Sequence, residues 1–524
     1  MVPTLSPTRR LLYCLLSAVL VTLSFPNFFE KTLTPFTAFL GWVALIPFFL
    51  ALQNTKPSQG AFWGFVFGFL QFGGILYWIA FLQAAEYLSG LAWLVLVVYL
   101  SLYPMVFGWF YRSIGPRTKV PDHLTAPVLW VALEYLRGSR PWGGFSWGEL
   151  GYSQAAYPSI LVATSFVGVY GLTFLMVWAN ACFSKALSSE GPISGAGMEG
   201  PKPLSRWPYF VSPLLLIIVL IIGGQLERGR ATLRKAGTVS LLQPDVDQAI
   251  KWDKKSEDMI YERMDRLVKT ASLSKPDLIL WPETAAPSYL LITPNDRKRV
   301  VSMVRKSNIP QLVGCLDAQR SKQGAIGYYN AAVAFDGKGR TQGVYHKRHL
   351  VPFGEFVPFQ KYLTFLGPVV GDLGNFEPGK SYESFQAHGF SYSPMICYEV
   401  IFPGDVQEAM KTHSDALVNI SNDAWYGRTA SPYQHAMMAV VRAAEERKPL
   451  LRAANTGICL ATDPFGKILD STGLYEQKVL TTDVLLSDPS ATLYSRFGNW
   501  FPWSCLAILL LLFMIAMTKG SDRA

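Results

Sequence analysis

Apolar residues along this chain follow two patterns. Over residues 1–227 they come in long blocks, near 9–27, 35–52, 60–83, 90–111, 124–138, 158–184 and 208–226, and one more follows at 500–517. A helix needs about 20 apolar residues to cross a bilayer, so about eight spans are expected. The block at 124–138 is interrupted by Glu134 and Arg137 and reads either as a span or as an interfacial helix. Between 228 and 490 the period shortens. Strand-like alternation marks Thr238–Leu242, Asp277–Trp281, Gln311–Leu316, Asn330–Phe335, Tyr392–Cys397 and Ala416–Ile420. Helical spacing marks Lys254–Ala271, Asn295–Asn308, Gly404–His413 and Pro432–Glu446. Phe335–Arg340 (FDGKGR) predicts a hairpin turn, and Asp463–Lys467 (DPFGK) is similar to it.

The expected organisation is a polytopic α-helical membrane domain at 1–227 with seven spans, an α/β domain at 228–490, and a C-terminal transmembrane helix and tail at 491–524. Arg9 and Arg10 precede the first block as they would in a signal peptide. No small-x-small cleavage site follows and another apolar block comes at once, so an uncleaved anchor is expected. With the N-terminus inside, inner loops hold Arg9, Arg10, Lys56, Arg112, Arg117, Lys119, Lys185, Lys202 and Arg206, while outer loops hold Lys31, Arg137 and Arg140. Nine against three obeys the positive-inside rule. It places the α/β domain outside the cytoplasm and returns Lys519 and Arg523 to the inside. The linker 188–205 is rich in Gly, Pro and Ser and reads as a flexible cytoplasmic loop.

Composition sharpens this picture. Half of the chain is hydrophobic and 16% is charged, against roughly 25% in soluble proteins. The net charge of +10 is scattered, with no dense Lys/Arg run. That argues against nucleic acid as a partner and fits cytoplasmic loops beside anionic lipid. Of six cysteines, Cys14, Cys182 and Cys505 fall in apolar blocks, leaving Cys315, Cys397 and Cys459 in the α/β part. No CxxC or close Cys/His set points to zinc.

Three motifs fall just past strand ends, where sites gather in open α/β sheets: Leu278–Glu283 (LILWPE), Tyr345–Glu355 (YHKRHLVPFGE) and Pro394–Glu399 (PMICYE). A cysteine attacks as its thiolate, so Cys397 needs a base or a cation nearby. Glu283, after a buried strand and a proline, is placed to move a proton. Lys347 can stabilise a thiolate or the oxyanion formed when a carbonyl is attacked. Two other readings of the same residues stay open. One is a Cys–His dyad drawn from His346, His349, His388, His413 or His435, although no nucleophile signature surrounds Cys397. The other is a metal site from Glu283, Glu355, Glu399 and His435, although no HExxH-like spacing supports it.

These motifs resemble the carbon–nitrogen hydrolase (nitrilase) superfamily, with its Glu-Lys-Cys triad matched by Glu283, Lys347 and Cys397. Seven spans before that domain and one after it make the whole chain similar to the apolipoprotein N-acyltransferase family, including Gly151–Gln154 (GYSQ) and Asn419–Trp425 (NISNDAW). The resemblance implies a nitrilase-like αββα sandwich in the periplasm, on a multi-pass protein of the bacterial inner membrane. It implies a ping-pong reaction without a cofactor or metal. An acyl chain from a phospholipid, typically phosphatidylethanolamine, passes through a thioester on Cys397 to the N-terminal amine of an S-diacylglyceryl-cysteine apolipoprotein. It further implies supporting roles for Glu355, Tyr398 and Glu399, substrate contacts for Trp252, Tyr152 and Trp425, and a monomer. Two rivals remain: a membrane-tethered amidase or nitrilase, and a transporter with an accessory domain. Neither explains why nearly charge-free spans precede the triad. Finally, 359–376 reads either as a buried loop packed on the domain core or as an apolar lid hinged on Gly367, Gly371 and Gly374.

Overall fold

The computed structural model describes residues 5–82, 88–139, 143–188, 206–320, 325–356, 376–488 and 491–521. The segment 359–376 and the linker 188–205 lie outside the described residues, apart from Phe376 and Ser188, and so does Arg140. The chain forms two compact units. The first comprises Met1–Arg230, Thr429–Met437 and Asn499–Ala524, and the second Ala231–Arg428 and Met438–Gly498.

The first unit is helical. Helix α1 (Pro7–Leu23) starts where the Ser6 hydroxyl accepts from the Arg9 amide (3.3 Å) and Pro7 pre-sets the first turn. Then come α2 (Ile46–Leu52), α3 (Pro57–Ile75), α4 (Ser89–Thr118), α5 (Asp122–Ser139), α6 (Pro158–Leu161), α7 (Thr164–Leu187) and α8 (Trp207–Arg230), with Trp500–Ser521 at the end. Among the described residues, four helices are long and apolar enough to cross a membrane: Ser89–Gly115, Thr164–Leu187, Trp207–Arg230 and Trp500–Thr518. Three expected blocks are subdivided. The 60–83 block is α3 followed by a 3-10 helix at Tyr77–Phe81. The 35–52 block is a 3-10 helix at Phe36–Trp42 followed, after a break, by α2 with Pro47 in its first turn. The 158–184 block is α6 and α7, and α7 itself bends at Gly168, where φ is 67°.

Helix α5 is continuous through Glu134 and Arg137 because both are buried with partners. Glu134 accepts from the Trp130 indole (3.0 Å) and the Leu150 amide (3.2 Å), and Arg137 donates to the carbonyls of Phe145 (3.0 Å) and Trp147 (2.6 Å). Helices α3 and α4 pack backbone to backbone. Gly60, Gly64 and Gly68 repeat every fourth residue on α3, and side chains there would run into Gly108, Pro104 and Ser101 of α4. The separate segment 429–437 is tied in by Gln434. Its carbonyl accepts from the indoles of Trp78 (3.2 Å) and Trp147 (2.7 Å), while its amide donates to the carbonyls of Pro26 (2.7 Å) and Ile75 (3.2 Å).

The second unit is built on two mixed sheets. In the first, β1 (Leu233–Gln243) lies between antiparallel β13 (Lys478–Ser487) and parallel β2 (Leu278–Leu280). Strand β4 (Gln311–Arg320) is parallel to β2 and to the short β3 (Ala286–Tyr289), and the β5 (Ile326–Phe335) and β6 (Thr341–His346) hairpin completes the sheet. In the second, the order is β12 (Ile468–Ser471), β11 (Leu460–Thr462), β10 (Leu450–Ala454), β9 (Ala416–Ser421), β8 (Ser391–Ile396) and β7 (Phe385–Gln386), with β8, β9 and β10 mutually parallel.

Period-2 alternation decides what each face buries. Val239, Leu241, Leu278, Leu280, Ala332 and Ala334 of the first sheet meet Ile396, Val418, Ile420, Leu451 and Ala453 of the second in one core. The alternate residues Ile279, Trp281, Val313, Ala331 and Val333 pack instead with α10 (Glu257–Ser272) and α11 (Pro294–Ser307), through Met264, Val268, Val300 and Val304. A helix at Pro403–Met410 packs on β8. Both predicted turns join neighbouring strands, 335–340 between β5 and β6 and 463–467 between β11 and β12.

Candidate active site

Strands β2, β6, β8 and β9 deliver their carboxyl ends to one place in the second unit. Two antiparallel steps, β4 to β5 and β5 to β6, restore the direction of β2 and β4, so Lys347 after β6 can meet Glu283 after β2. The Lys347 ammonium is buried and donates to Glu355 at 3.0 Å from Oε1 and 2.9 Å from Oε2, and it lies 3.6 Å from Glu283 Oε1. Burial opposes its charge, but Glu355, Glu283 and Cys397 outweigh burial and hold its pKa above the ordinary lysine value.

Asn330, in the middle of β5, sits between the two carboxylates. Its amide nitrogen donates to Glu283 Oε1 (2.7 Å) and Glu355 Oε1 (2.9 Å). Two facing carboxylates fix which end of the amide is nitrogen. The other Glu283 oxygen accepts from the Asn422 amide (2.7 Å) at the end of β9, and the other Glu355 oxygen from the Val351 amide (2.9 Å).

Cys397 begins the turn after β8 with φ at 52°, a left-handed conformation that a residue with a side chain adopts only under constraint. The bend sets the thiol at the strand end rather than within the sheet. Cys397 is 5% exposed, and burial, with the charges of Glu283 and Asp423, pushes its thiol up while Lys347 and a Ser421 hydrogen bond pull it down. The thiol is therefore held in its protonated form at neutral pH. Behind it, Asp423 pairs with buried Arg452 (2.8 Å) and accepts from the Ser421 hydroxyl (2.8 Å), and Arg452 also donates to Asn419.

The residues expected to support the triad are placed in different ways. Glu355 binds Lys347 directly. Glu399 instead fastens two chain segments, accepting from the amides of Ile396 (2.6 Å), Arg348 (2.6 Å) and His349 (3.1 Å) and from the Tyr345 hydroxyl (2.8 Å). It thereby ties the loop carrying Lys347 to the turn carrying Cys397. Burial raises its pKa, against the pull of those donors. Tyr398 is buried edge-on against Phe402 (4.9 Å) and His349 (5.8 Å). Trp252 is half exposed at the end of α9 (Gln248–Lys251), Trp425 is half-buried in the 3-10 turn Asp423–Tyr426, and Tyr152 belongs to the first unit, buried in the 3-10 turn Leu150–Ala156.

The open alternatives fare differently. Two histidines of the dyad reading, both in the Tyr345–Glu355 motif, pair with acids: His346 with Asp317 (2.8 Å), and His349 with Asp405 (2.7 Å), where it also stacks on the face of Phe402 (3.7 Å). The carboxylates of the metal reading face donors: Glu283 and Glu355 bind Lys347 and Asn330, and Glu399 binds amides and a hydroxyl. Sequence reasoning missed Lys251, Asn330, Asn422, Asp423 and Arg452. The signal for Asn330 and Arg452 was a lone polar residue inside an apolar strand. Lys251 had none beyond adjoining Trp252.

Family comparisons cover both units. A family model described as the apolipoprotein N-acyltransferase N-terminal domain matches residues 17–182, and one described as carbon-nitrogen hydrolase matches 238–493. An apolipoprotein N-acyltransferase from Geobacter metallireducens is 34% identical over 98% of this chain and 96% of its own length. Relatives of the same name from Haemophilus influenzae and Vibrio parahaemolyticus are 33% and 29% identical over 90% and 88% of this chain, covering 89% and 90% of theirs. Among solved structures, an amidase from Nesterenkonia sp. is 19% identical over 48% of this chain and 90% of that chain, with a TM-score of 0.37.

Proposed function

The chain belongs to the apolipoprotein N-acyltransferase family, and from that premise we propose that it acylates the N-terminal amine of diacylglyceryl apolipoproteins, using a phospholipid as donor. Cys397 is the nucleophile, Glu283 the proton acceptor and Lys347 the electrostatic partner. Glu283 takes the thiol proton as sulfur attacks the ester carbonyl. The carbon–sulfur bond forms, the bond to the glycerol oxygen breaks, and the proton goes to that oxygen, releasing lysophospholipid. In the second half the α-amine attacks the thioester, Glu283 takes the amine proton, and the thiol is restored. Lys347 offsets the negative charge that appears on sulfur and on the carbonyl oxygen.

The observation that carries this reading is the buried cluster of Glu283, Lys347, Glu355 and Asn330 at the strand ends that also present Cys397. The finer features belong to the same proposal: phosphatidylethanolamine as donor, a monomer, two compact units that divide as a membrane and a catalytic domain, about eight spans in a bacterial inner membrane, and the catalytic unit on the periplasmic side. The long apolar helices and the inner-loop lysines and arginines support the membrane reading. Substrate contacts by Trp252, Tyr152 and Trp425 are proposed on the same footing.

The test is intact and peptide mass spectrometry of the full-length protein incubated with phospholipid. An acyl mass on Cys397, discharged by a diacylglyceryl peptide, is expected. It should be absent in Cys397→Ala and present in Cys315→Ala and Cys459→Ala. Free fatty acid with no adduct, and no transfer to the peptide, overturns the transferase reading.

A further inference from the structure

A second lysine enters the reaction centre from a part of the chain that no motif flagged. Lys251 ends the short helix α9, yet its side chain is buried, and its Nζ donates to the main-chain carbonyl of Glu283 (3.1 Å). Its ammonium feels two charges, the Glu283 carboxylate from the turn after β2 and Cys397 from the turn after β8, and it lies 5.9 Å from the ring of Trp252. Lys347 and Glu355 stand behind Glu283.

Charge bookkeeping gives Lys251 its purpose. Glu283 and Glu355 bring two negative charges, and Lys347, bound to Glu355, brings one positive charge. When the S–H bond of Cys397 breaks and Glu283 takes the proton, the negative charge moves from carboxylate to sulfur and the total does not change. Among these three groups one negative charge stays uncompensated before and after that step, while the further buried carboxylate, Glu399, is held by three amides and the Tyr345 hydroxyl. Such a charge is costly away from water. Asp423 does not alter the sum, because Arg452 neutralises it.

We propose that Lys251 is the second cation of this centre, a positioning residue whose ammonium, anchored on the Glu283 main chain, balances the charge left over while Cys397 is a thiolate. The proposal rests on the assignment of Cys397 and Glu283 above. Burial depresses the Lys251 ammonium from the ordinary lysine value to about 8, against the pull of Glu283 and Cys397. Its positive charge is therefore present below about pH 8 and lost above it. Acylation should lose speed over that window.

The experiment is single-turnover acylation of Cys397 by phospholipid in the full-length protein, followed by mass spectrometry from pH 6 to about pH 10. Wild type, Lys251→Met, Lys251→Arg and Cys397→Ala are compared. Wild type should slow above about pH 8. Lys251→Met should be about 10²-fold slower at neutral pH and show no such decline. Lys251→Arg should recover most of the rate and carry it to higher pH, since a guanidinium keeps its proton there. If Lys251→Met does not fold, the pH profile of Lys251→Arg decides by itself. An unchanged profile in Lys251→Arg, or a wild-type rate and profile in Lys251→Met, overturns the proposal while Cys397→Ala stays dead. Loading that persists in Cys397→Ala overturns the nucleophile assignment, and this proposal with it.

Discussion

Asn330 holds two carboxylates on one amide, and this makes it more sensitive than its neutral side chain suggests. Asn330→Asp keeps the shape but replaces a shared donor with a third negative oxygen between Glu283 and Glu355. Leaving buried charged acceptors unpaired costs on the order of 2–4 kcal/mol. Acylation should fall at least about 10²-fold and the denaturation midpoint should drop. A midpoint and rate equal to wild type would mean that Asn330 does not bridge the two glutamates. At this scale, legibility depended on whether a residue's chemistry could be read from its neighbours. Glu283, Lys347 and Cys397 could be, since each follows a strand and sits in a local motif. Asn330 and Lys251 could not, because the groups that give them meaning are 47 and 32 residues away in the chain. Arg452 shows in sequence as a lone charge in an apolar run, and Asp423 and Asn419, folded beside it, allow it inside a strand.

Among elements, the strands with clean alternation and their turns were legible, and the structure extends them: β4 runs to Arg320 and β5 begins at Ile326. Strands β3, β6, β7 and β10 to β13 escaped. β10 carries Arg452, β6 starts on polar residues, and β3 and β7 have only 4 and 2 residues, too few for a period to emerge. The site's backbone depends on close approaches that sequence does not display. Gly314 of β4 faces the Trp281–Glu283 turn, and a Cβ there would collide with the Pro282 carbonyl and come within 2.9 Å of the Glu283 Cα. Gly314→Ala should therefore displace Glu283 from Lys347 and lower acylation strongly, with a stability loss of about 1–3 kcal/mol. The check is the acylation rate beside the melting temperature. Full activity in a destabilised protein would place the strain elsewhere.

Taken whole, neither unit is one continuous stretch of chain, and hydropathy could not reveal that. It found the apolar blocks, but it could not see that breaks at Val43–Leu45 and Leu76 and the Gly168 bend subdivide three of them, nor that nine residues at 429–437 belong with the helices. Gln434 in that segment satisfies two indole donors and two main-chain carbonyls. Gln434→Leu leaves all four without that partner, and buried polar groups left unmade cost about 1–3 kcal/mol each. Faster trypsin cleavage and a lower melting temperature in detergent are expected, and wild-type resistance would show that other groups replace the glutamine.

The distance in sequence has a consequence in time. Gln434 is 408 residues beyond Pro26 and 356 beyond Trp78. A ribosome therefore delivers α1 to α8, and then most of the β-strands, before Gln434 joins the helical unit, and the helix Trp500–Ser521 follows later still. Until then the contacts of the Trp78 and Trp147 indoles and of the two carbonyls with Gln434 are not made. A chain cut short by damaged message or stalled synthesis before residue 434 carries α1 to α8 but lacks both the Gln434 tie and the helix Trp500–Ser521. The late arrival of Gln434 and the last helix thus separates finished molecules from unfinished ones.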